Sequence, residues 1–76
     1  MIATEIKLTE LKRGQSCTVA ELNTGDESIL RKLMSMGILP GMTLKVLLTY
    51  PSYVIQIGYT QVAVDKTVAS AIMVYV

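Results

Sequence analysis

The chain has 76 residues, of which 51% are hydrophobic and 17% are charged, and this length accommodates one small domain rather than two. Seven Lys and Arg residues against six Asp and Glu residues give a formal net charge of +1, which provides no strong field for attracting a nucleic-acid backbone or an anionic lipid surface. A multidomain enzyme is excluded, and nucleic-acid and direct membrane binding are disfavoured.

The cysteine and histidine content limits covalent and metal chemistry. The chain has one cysteine, Cys17, and no histidine, so one copy can form neither an internal disulfide nor a zinc site of four Cys and His ligands. The segment Met1–Glu5 lacks the basic and apolar regions of a signal peptide, and no apolar run reaches the length of a transmembrane helix. We therefore expect a cytoplasmic protein in a reducing compartment.

The mean hydropathy of +0.48 is high for so short a soluble chain. A domain of this size buries only about 60% of its unfolded surface. Part of the apolar surface should therefore stay exposed, which favours a protein partner or a homo-oligomer.

The first elements predicted along the chain are a helical turn, a strand and one longer helix. Thr9–Lys12 offers a Thr cap for a single turn of helix within Thr4–Arg13, and the half-apolar segment Gln15–Leu22 predicts a strand. Asp26–Met36 predicts the main helix, because acidic residues lie in its first turn, a basic pair follows and Gly37 ends it.

The apolar side chains of this helix form a stripe. Ile29, Leu30, Leu33 and Met34 recur at helical spacing, which indicates one face turned toward a core. Core packing is the simplest interpretation of this stripe.

The second half of the chain is predicted to be mainly strands. In Met42–Thr49, Met42, Leu44, Val46 and Leu48 alternate with their neighbours, which predicts a strand with these four side chains inward. Tyr50–Ser52 breaks that strand. Tyr53–Ile57 and Thr60–Val64 predict a hairpin that turns at Gly58 and Tyr59.

The end of the chain is predicted to form a closing strand. Asp65–Thr67 has turn chemistry, and the apolar stretch Ile72–Val76 within Val68–Val76 predicts a strand buried between neighbours. Together these elements give about five strands with one inserted α-helix, which is typical of a small, closed or nearly closed β-barrel. A mixed, flat α+β sheet is the alternative.

No constellation of residues predicts an enzyme. The usual base of a nucleophilic triad is missing because the chain has no histidine. Cys17 lies in a predicted strand and is expected to act as a small hydrophobe, and Asp26 and Glu27 are explained by helix capping. The glycines occur singly, so no phosphate-binding loop is formed.

Two other function classes stay open as alternatives. A small barrel can bind single-stranded nucleic acid through aromatic side chains beside a basic groove, and four tyrosines are available although no basic groove is visible: Tyr50, Tyr53, Tyr59 and Tyr75. Thioethers could bind a soft metal, and four methionines offer them: Met34, Met36, Met42 and Met73. A weak transition-metal (iron) carrier is therefore a second alternative, although core or interface filling is the commoner use of methionine. We expect no cofactor and no tight metal site.

The helix and the loop after it carry a family resemblance. Leu30–Val46 runs from a Leu-rich helix through Met36 and Gly37 into Pro40, Gly41 and an alternating strand. In this order the segment resembles the FeoA family of small cytoplasmic proteins of bacterial ferrous iron uptake. Further matching segments extend the resemblance over nearly the whole chain: Leu8–Gly14, Cys17–Val19, Ile57–Tyr59, Val62–Val64 and Ala69–Val74.

This resemblance implies a fold and a role. The family fold is an SH3-like (Src-homology-3-like) β-barrel with an inserted helix, here expected as a single domain over residues 1–76. The family acts beside FeoB, a membrane transporter with a cytoplasmic GTP-binding domain. The resemblance therefore implies a non-enzymatic accessory protein that binds FeoB, reaches the membrane only through it, and modulates transport or GTP hydrolysis.

Two features depart from the family pattern, and a related module exists. Many members carry a Gly-Asp-Pro-like step before the third strand and an Arg after the fourth, where this chain has Tyr50–Tyr53 and Asp65. The same barrel occurs as a C-terminal module of metal-dependent repressors. Since these 76 residues hold no DNA-binding domain, we expect a free-standing protein.

The loop after the main helix is the predicted partner-binding site. Pro40 and Gly41 should hold a loop that displays apolar side chains, which suits either partner recognition or closure of the barrel end. The predicted contact residues are Leu33, Met36, Gly37, Ile38, Leu39, Pro40 and Gly41.

Overall fold

Six antiparallel strands form one sheet in the computed structural model, which describes residues 4–76. Met1–Ala3, part of the segment considered for a signal peptide, lie outside the described residues. The elements follow one another as β1 (Glu5–Lys7), a 3₁₀ turn (Leu8–Glu10), β2 (Ser16–Leu22), α1 (Glu27–Ser35), β3 (Thr43–Leu48), β4 (Tyr53–Ile57), β5 (Thr60–Val64), α2 (Lys66–Ser70) and β6 (Ile72–Tyr75).

The strand order across the sheet is β1-β6-β2-β3-β4-β5. Every pair is antiparallel, and β1 and β5 do not pair with each other within residues 4–76, so the ladder is open between these two edges. The prediction of an all-β fold with an inserted helix is confirmed, and a mixed sheet is not found. The closing strand β6 has a neighbour on each side, since it lies between β1 and β2.

The predicted number of about five strands was one short. β1 has only three residues, and its partly buried Ile6 is flanked by the exposed Glu5 and Lys7. This strand exists because β6 pairs with it, in the register Ile6 to Val74. A local pattern of three residues could not reveal a pairing with the other end of the chain.

The prediction for Asp65–Val76 was only partly right. Asp65 caps a short helix, α2, because its Oδ1 accepts a hydrogen bond from the backbone N–H of Val68 at 2.8 Å. Val68 and Ala69 are thus buried in a helix, and the strand starts only at Ile72. The predicted turn Thr9–Lys12 is also shifted, since the 3₁₀ turn spans Leu8–Glu10 and Lys7 is the residue before it.

Two β-bulges change which side chains face the core. The register with the neighbouring strand shifts between Val19 and Glu21 in β2 and between Val46 and Leu48 in β3. A bulge bends the strand and displaces its alternation. The prediction that Leu48 points inward was therefore wrong, since its side chain is 41% exposed.

One apolar core joins the sheet, α1, α2 and the 3₁₀ turn. No polar or charged residue is buried among residues 4–76, so the fold depends on apolar packing and backbone hydrogen bonds. The core residues are Leu8, Leu11, Cys17, Val19, Leu33, Ile38, Leu44, Val46, Ile55, Ile57, Val64, Val68, Ala69, Ile72 and Val74.

Candidate functional site

The C-terminal end of α1 is closed by a Schellman motif, which fixes how the following loop leaves the helix. The backbone N–H of Gly37 donates to the carbonyl of Met34, and that of Ile38 donates to the carbonyl of Leu33, both at 3.0 Å. Gly37 has a φ of 83°, the left-handed conformation that this motif requires and that glycine adopts without strain.

Leu33 and Ile38 form the apolar pair that accompanies this motif. Both side chains are 0% exposed and belong to the core. These two predicted contact residues therefore anchor the loop from beneath and offer a partner no accessible side chain. Met36 is partly buried against the core, and Gly37 is also intermediate in exposure.

Residues 39–42 form a tight turn above this anchor. The backbone N–H of Met42 donates to the carbonyl of Leu39 at 3.0 Å. Pro40 occupies the second position and Gly41, with a φ of 91°, occupies the third, which is the arrangement of a type II turn. The sequence of the turn thus matches its backbone at both central positions.

Two further backbone hydrogen bonds join the turn to β2. The N–H of Gly41 donates to the carbonyl of Val19, and the N–H of Val19 donates to the carbonyl of Met42, both at 2.8 Å. Because Val19 is itself buried in the core, the turn is held at its start by α1 and at its end by the sheet.

The exposed part of this region is apolar. Met34 is 49% exposed, Leu39 is 38% exposed and Met42 is 41% exposed, and Pro40 and Gly41 are exposed as well. We call these residues the loop surface: Met34, Leu39, Pro40, Gly41 and Met42. A rigid backbone that displays leucine and methionine is the kind of surface that protein partners use.

Two members of the loop surface were missed from sequence. Met34 was assigned to the apolar stripe and Met42 to the inward face of a strand, but both are exposed. The buried stripe of α1 is narrower than predicted, because only Leu33 is fully buried and Ile29 packs partly against the core. Met42 precedes β3 and lies in the turn. The adjacent residues Pro40 and Gly41 have the chemistry of a type II turn, and this signal in the sequence indicates that Met42 is the last residue of the turn and not the first of the strand.

Charged side chains on α1 lie close to the loop surface in the sequence. Lys32, two residues before Met34, is exposed. Arg31 contacts Glu27 at 3.5 Å, and both side chains are more than four-fifths exposed, so this ion pair contributes little to stability. The loop surface itself contains no charged residue.

The side chains that could support catalysis or metal binding do not converge. Within residues 4–76, no group of three or more Cys, Asp and Glu side chains is placed to hold a metal ion. Cys17 is free and buried, and burial raises the pKa of its thiol to about 11, which keeps the nucleophilic thiolate scarce. The prediction that Cys17 packs as a small hydrophobe is confirmed.

The polar outer face of the sheet has a shallow depression of about 410 Å³. Lys45 is the one charged residue that lines it, together with Ser16, Thr43, Leu44, Gln56 and Gly58. Tyr53, at the start of β4, packs partly against the core, whereas Tyr59 lies in the turn after β4 and is fully exposed. These features do not favour nucleic-acid binding.

No helix in residues 4–76 is both long enough and apolar enough to span a bilayer.

The sequence matches a family model, the FeoA domain, over residues 6–76. No curated protein sequence matches it significantly. Among solved structures, the crystal structure of an iron uptake regulatory protein, FeoA, is 31% identical with a TM-score of 0.84 over 93% of this chain and 95% of that one.

Two other structures are similar in fold. A FeoA from Stenotrophomonas maltophilia, complexed with zinc and described as a prokaryotic SH3 domain protein, is 23% identical with a TM-score of 0.81 over 91% of this chain and 88% of that one. A manganese-dependent transcriptional repressor is 26% identical with a TM-score of 0.88, but the match covers 99% of this chain and only 43% of the repressor. The prediction of an SH3-like fold is confirmed.

Proposed function

Since this chain belongs to the FeoA family, we propose that it serves bacterial ferrous iron uptake as a non-enzymatic, cytoplasmic accessory protein. Its partner in this proposal is the cytoplasmic GTP-binding domain of FeoB, and its effect is to modulate iron transport or GTP hydrolysis. The single observation that supports a binding role is the loop surface, where a rigid backbone displays apolar side chains.

The contact is proposed to involve the exposed residues Leu39, Pro40 and Gly41, with Met34 and Met42 beside them. A backbone that is already held in its turn conformation loses little conformational entropy when a partner covers it, which favours binding. Four other predicted residues support the position of the turn and do not themselves contact the partner in this proposal: Met36, Gly37 and the buried pair Leu33 and Ile38.

The proposal is tested by calorimetric titration of this protein with the soluble cytoplasmic domain of FeoB from the same organism. The titration is run without nucleotide, with a GTP analogue and with GDP, and the rate of GTP hydrolysis is followed with and without this protein. We expect saturable binding whose affinity or effect depends on the nucleotide. Absence of heat and of co-elution at high concentration would contradict a contact with this domain.

A substitution in the loop surface locates the contact. Leu39→Glu places a charge among apolar contacts and should weaken binding at least tenfold, since the charge must be desolvated when the partner covers it. Leu48→Glu is the matched control: it is the same change at a side chain that is 41% exposed, against 38% for Leu39, and it lies at the far end of β3.

Both variants should keep the far-UV circular dichroism and thermal transition of the unsubstituted protein. Loss of folding in Leu39→Glu would instead assign the turn a role in closing the barrel. Equal loss of binding in both variants would mean that the contact is not specific to the loop surface.

A further inference from the structure

The strand β5 leaves one side of its backbone unpaired. Within residues 4–76 it is the last strand in the order across the sheet and pairs only with β4, in the register Ile57 to Thr60 through Tyr53 to Val64. Among the described residues, no other backbone group bonds to Thr60–Val64. Such an edge can accept a further strand.

The hairpin turn shows which residues of β5 have free backbone groups. Gly58 and Tyr59 form a two-residue turn, so the flanking pair Ile57 and Thr60 is the hydrogen-bonded pair that closes it. Because hydrogen-bonded and non-hydrogen-bonded pairs alternate in an antiparallel ladder, the N–H and C=O groups of Gln61 and Ala63 point away from β4. The side chains of both residues are exposed.

This edge lacks the usual protection against pairing. No charged residue lies between Lys45 and Asp65, β5 contains no proline, and its register with β4 has no bulge. The opposite edge differs, because β1 has three residues and two of them, Glu5 and Lys7, are charged and exposed. Charge and shortness protect β1 in the way that natural edge strands are protected, whereas β5 has neither.

We propose that β5 is a self-association edge, on which β5 of a second copy of this chain pairs antiparallel about a two-fold axis at Val62. In this register Gln61 lies opposite Ala63 of the second copy, and Ala63 lies opposite its Gln61. The free groups of these residues then form two hydrogen-bonded pairs, with Val62 opposite its own copy between them.

A second copy is the occupant that the composition of this edge fits. In a two-fold pairing the strand lies beside its own copy, so a charged side chain would lie close to the equivalent charge of the second copy and be repelled. β5 contains no charged residue, so this repulsion is absent. An edge without charge offers no electrostatic preference for an acidic or basic peptide. This association goes beyond the proposed function and uses none of the residues of the loop surface.

The test compares charge patterns that only this register distinguishes. Gln61→Lys with Ala63→Lys sets lysine opposite lysine across the axis, whereas Gln61→Glu with Ala63→Lys sets glutamate opposite lysine. Sedimentation velocity from about 20 μM to about 1 mM covers the range expected for a small interface. The control is the double variant Ser35→Lys with Thr43→Lys. It adds the same charge as the Lys/Lys variant, at exposed positions outside β5.

We expect the unsubstituted protein to dimerise reversibly. The Lys/Lys variant should have a dissociation constant at least tenfold higher, and the Glu/Lys variant should recover dimerisation. The Ser35 and Thr43 control should dimerise like the unsubstituted protein. Amide exchange should slow with concentration at Gln61 and Ala63. A protein that stays monomeric near 1 mM, or a Lys/Lys variant that dimerises unchanged, would overturn the proposal.

Discussion

Gly41 is the residue at which the loop surface depends most directly on backbone conformation. Its φ of 91° is unfavourable for residues with a Cβ, and a Cβ added there would meet no atom within 4 Å outside Gly41 and its two chain neighbours. Gly41→Ala should therefore destabilise the protein through backbone strain alone, by about 1–2 kcal/mol. Chemical denaturation measures this change in the free energy of unfolding.

Gly25→Ala is the control for the Gly41 substitution. Gly25 also has open space around it but no left-handed backbone, so alanine should be neutral or stabilise by up to about 1 kcal/mol. Equal destabilisation at both positions would show that the turn conformation is not the cause.

Residue by residue, the sequence predicted the position of the loop better than its exposure. Pro40 and Gly41 have turn chemistry that is local, and the turn forms there. Leu33 is buried as the stripe on the helix predicts, and Ile38, predicted only as a contact residue, is buried beside it, while Met34 and Met42 were predicted on apolar-periodic positions but are exposed. Burial depends on how the helix lies on the sheet, and apolar spacing alone does not determine that.

At the level of elements, α1 was predicted to within one residue at each end because its boundary signals are local. Asp26 caps it, since its Oδ1 accepts from the backbone N–H of Ser28 at 2.9 Å and from its hydroxyl at 2.7 Å, and Gly37 ends it. By contrast, β1 pairs with a strand distant in sequence and was missed, and α2 was missed although Asp65 gives it a local cap. The bulges in β2 and β3 appear only in the register with the neighbouring strands, which a local sequence pattern does not contain.

The cap gives a prediction with a pH dependence. The hydrogen bonds from the Ser28 side chain and from the backbone of Ser28 and Ile29 lower the pKa of Asp26. A lowered pKa in the folded state means that the stabilisation is fully present above the ordinary value of 3.8 and is lost as the pH falls through the folded-state value. Asp26→Ala should lower Tm by roughly a few degrees at neutral pH, and the difference should narrow in acid.

Asp26→Asn separates the cap from its charge. Asparagine accepts the same backbone hydrogen bonds, so this variant should melt near the unsubstituted protein at neutral pH and should keep its advantage over Asp26→Ala in acid. An Asn variant that melts like the Ala variant would show that the capping hydrogen bonds are not responsible.

On the scale of the whole molecule, the sheet depends on β6. This last strand lies between β1 and β2 and supplies the buried Ile72 and Val74. Removal of residues 72–76 should abolish cooperative unfolding, because β1 loses its pairing strand and β2 loses one of its two neighbouring strands. Circular dichroism melting and amide NMR dispersion measure this loss.

Removal of Val76 alone is the matched control. Its side chain is 54% exposed and its N–H donates to the carbonyl of Thr4 at 3.2 Å, so its loss should leave a cooperative transition. A cooperative transition after removal of all five residues would contradict the central role of β6.

The position of β6 also affects how the protein acquires its structure during synthesis. β3, β4 and β5 are consecutive neighbours joined by short connections, so they can pair as they leave the ribosome. β1 is translated before β6, its pairing partner. At about 5–20 residues per second, β6 follows β1 by roughly 3–14 seconds, and the pairing of β1 is delayed by at least that time. Over that interval the nascent chain exposes Ile6 and the unpaired side of β2, which a chaperone can bind, and the sheet is completed only after the last strand has been translated.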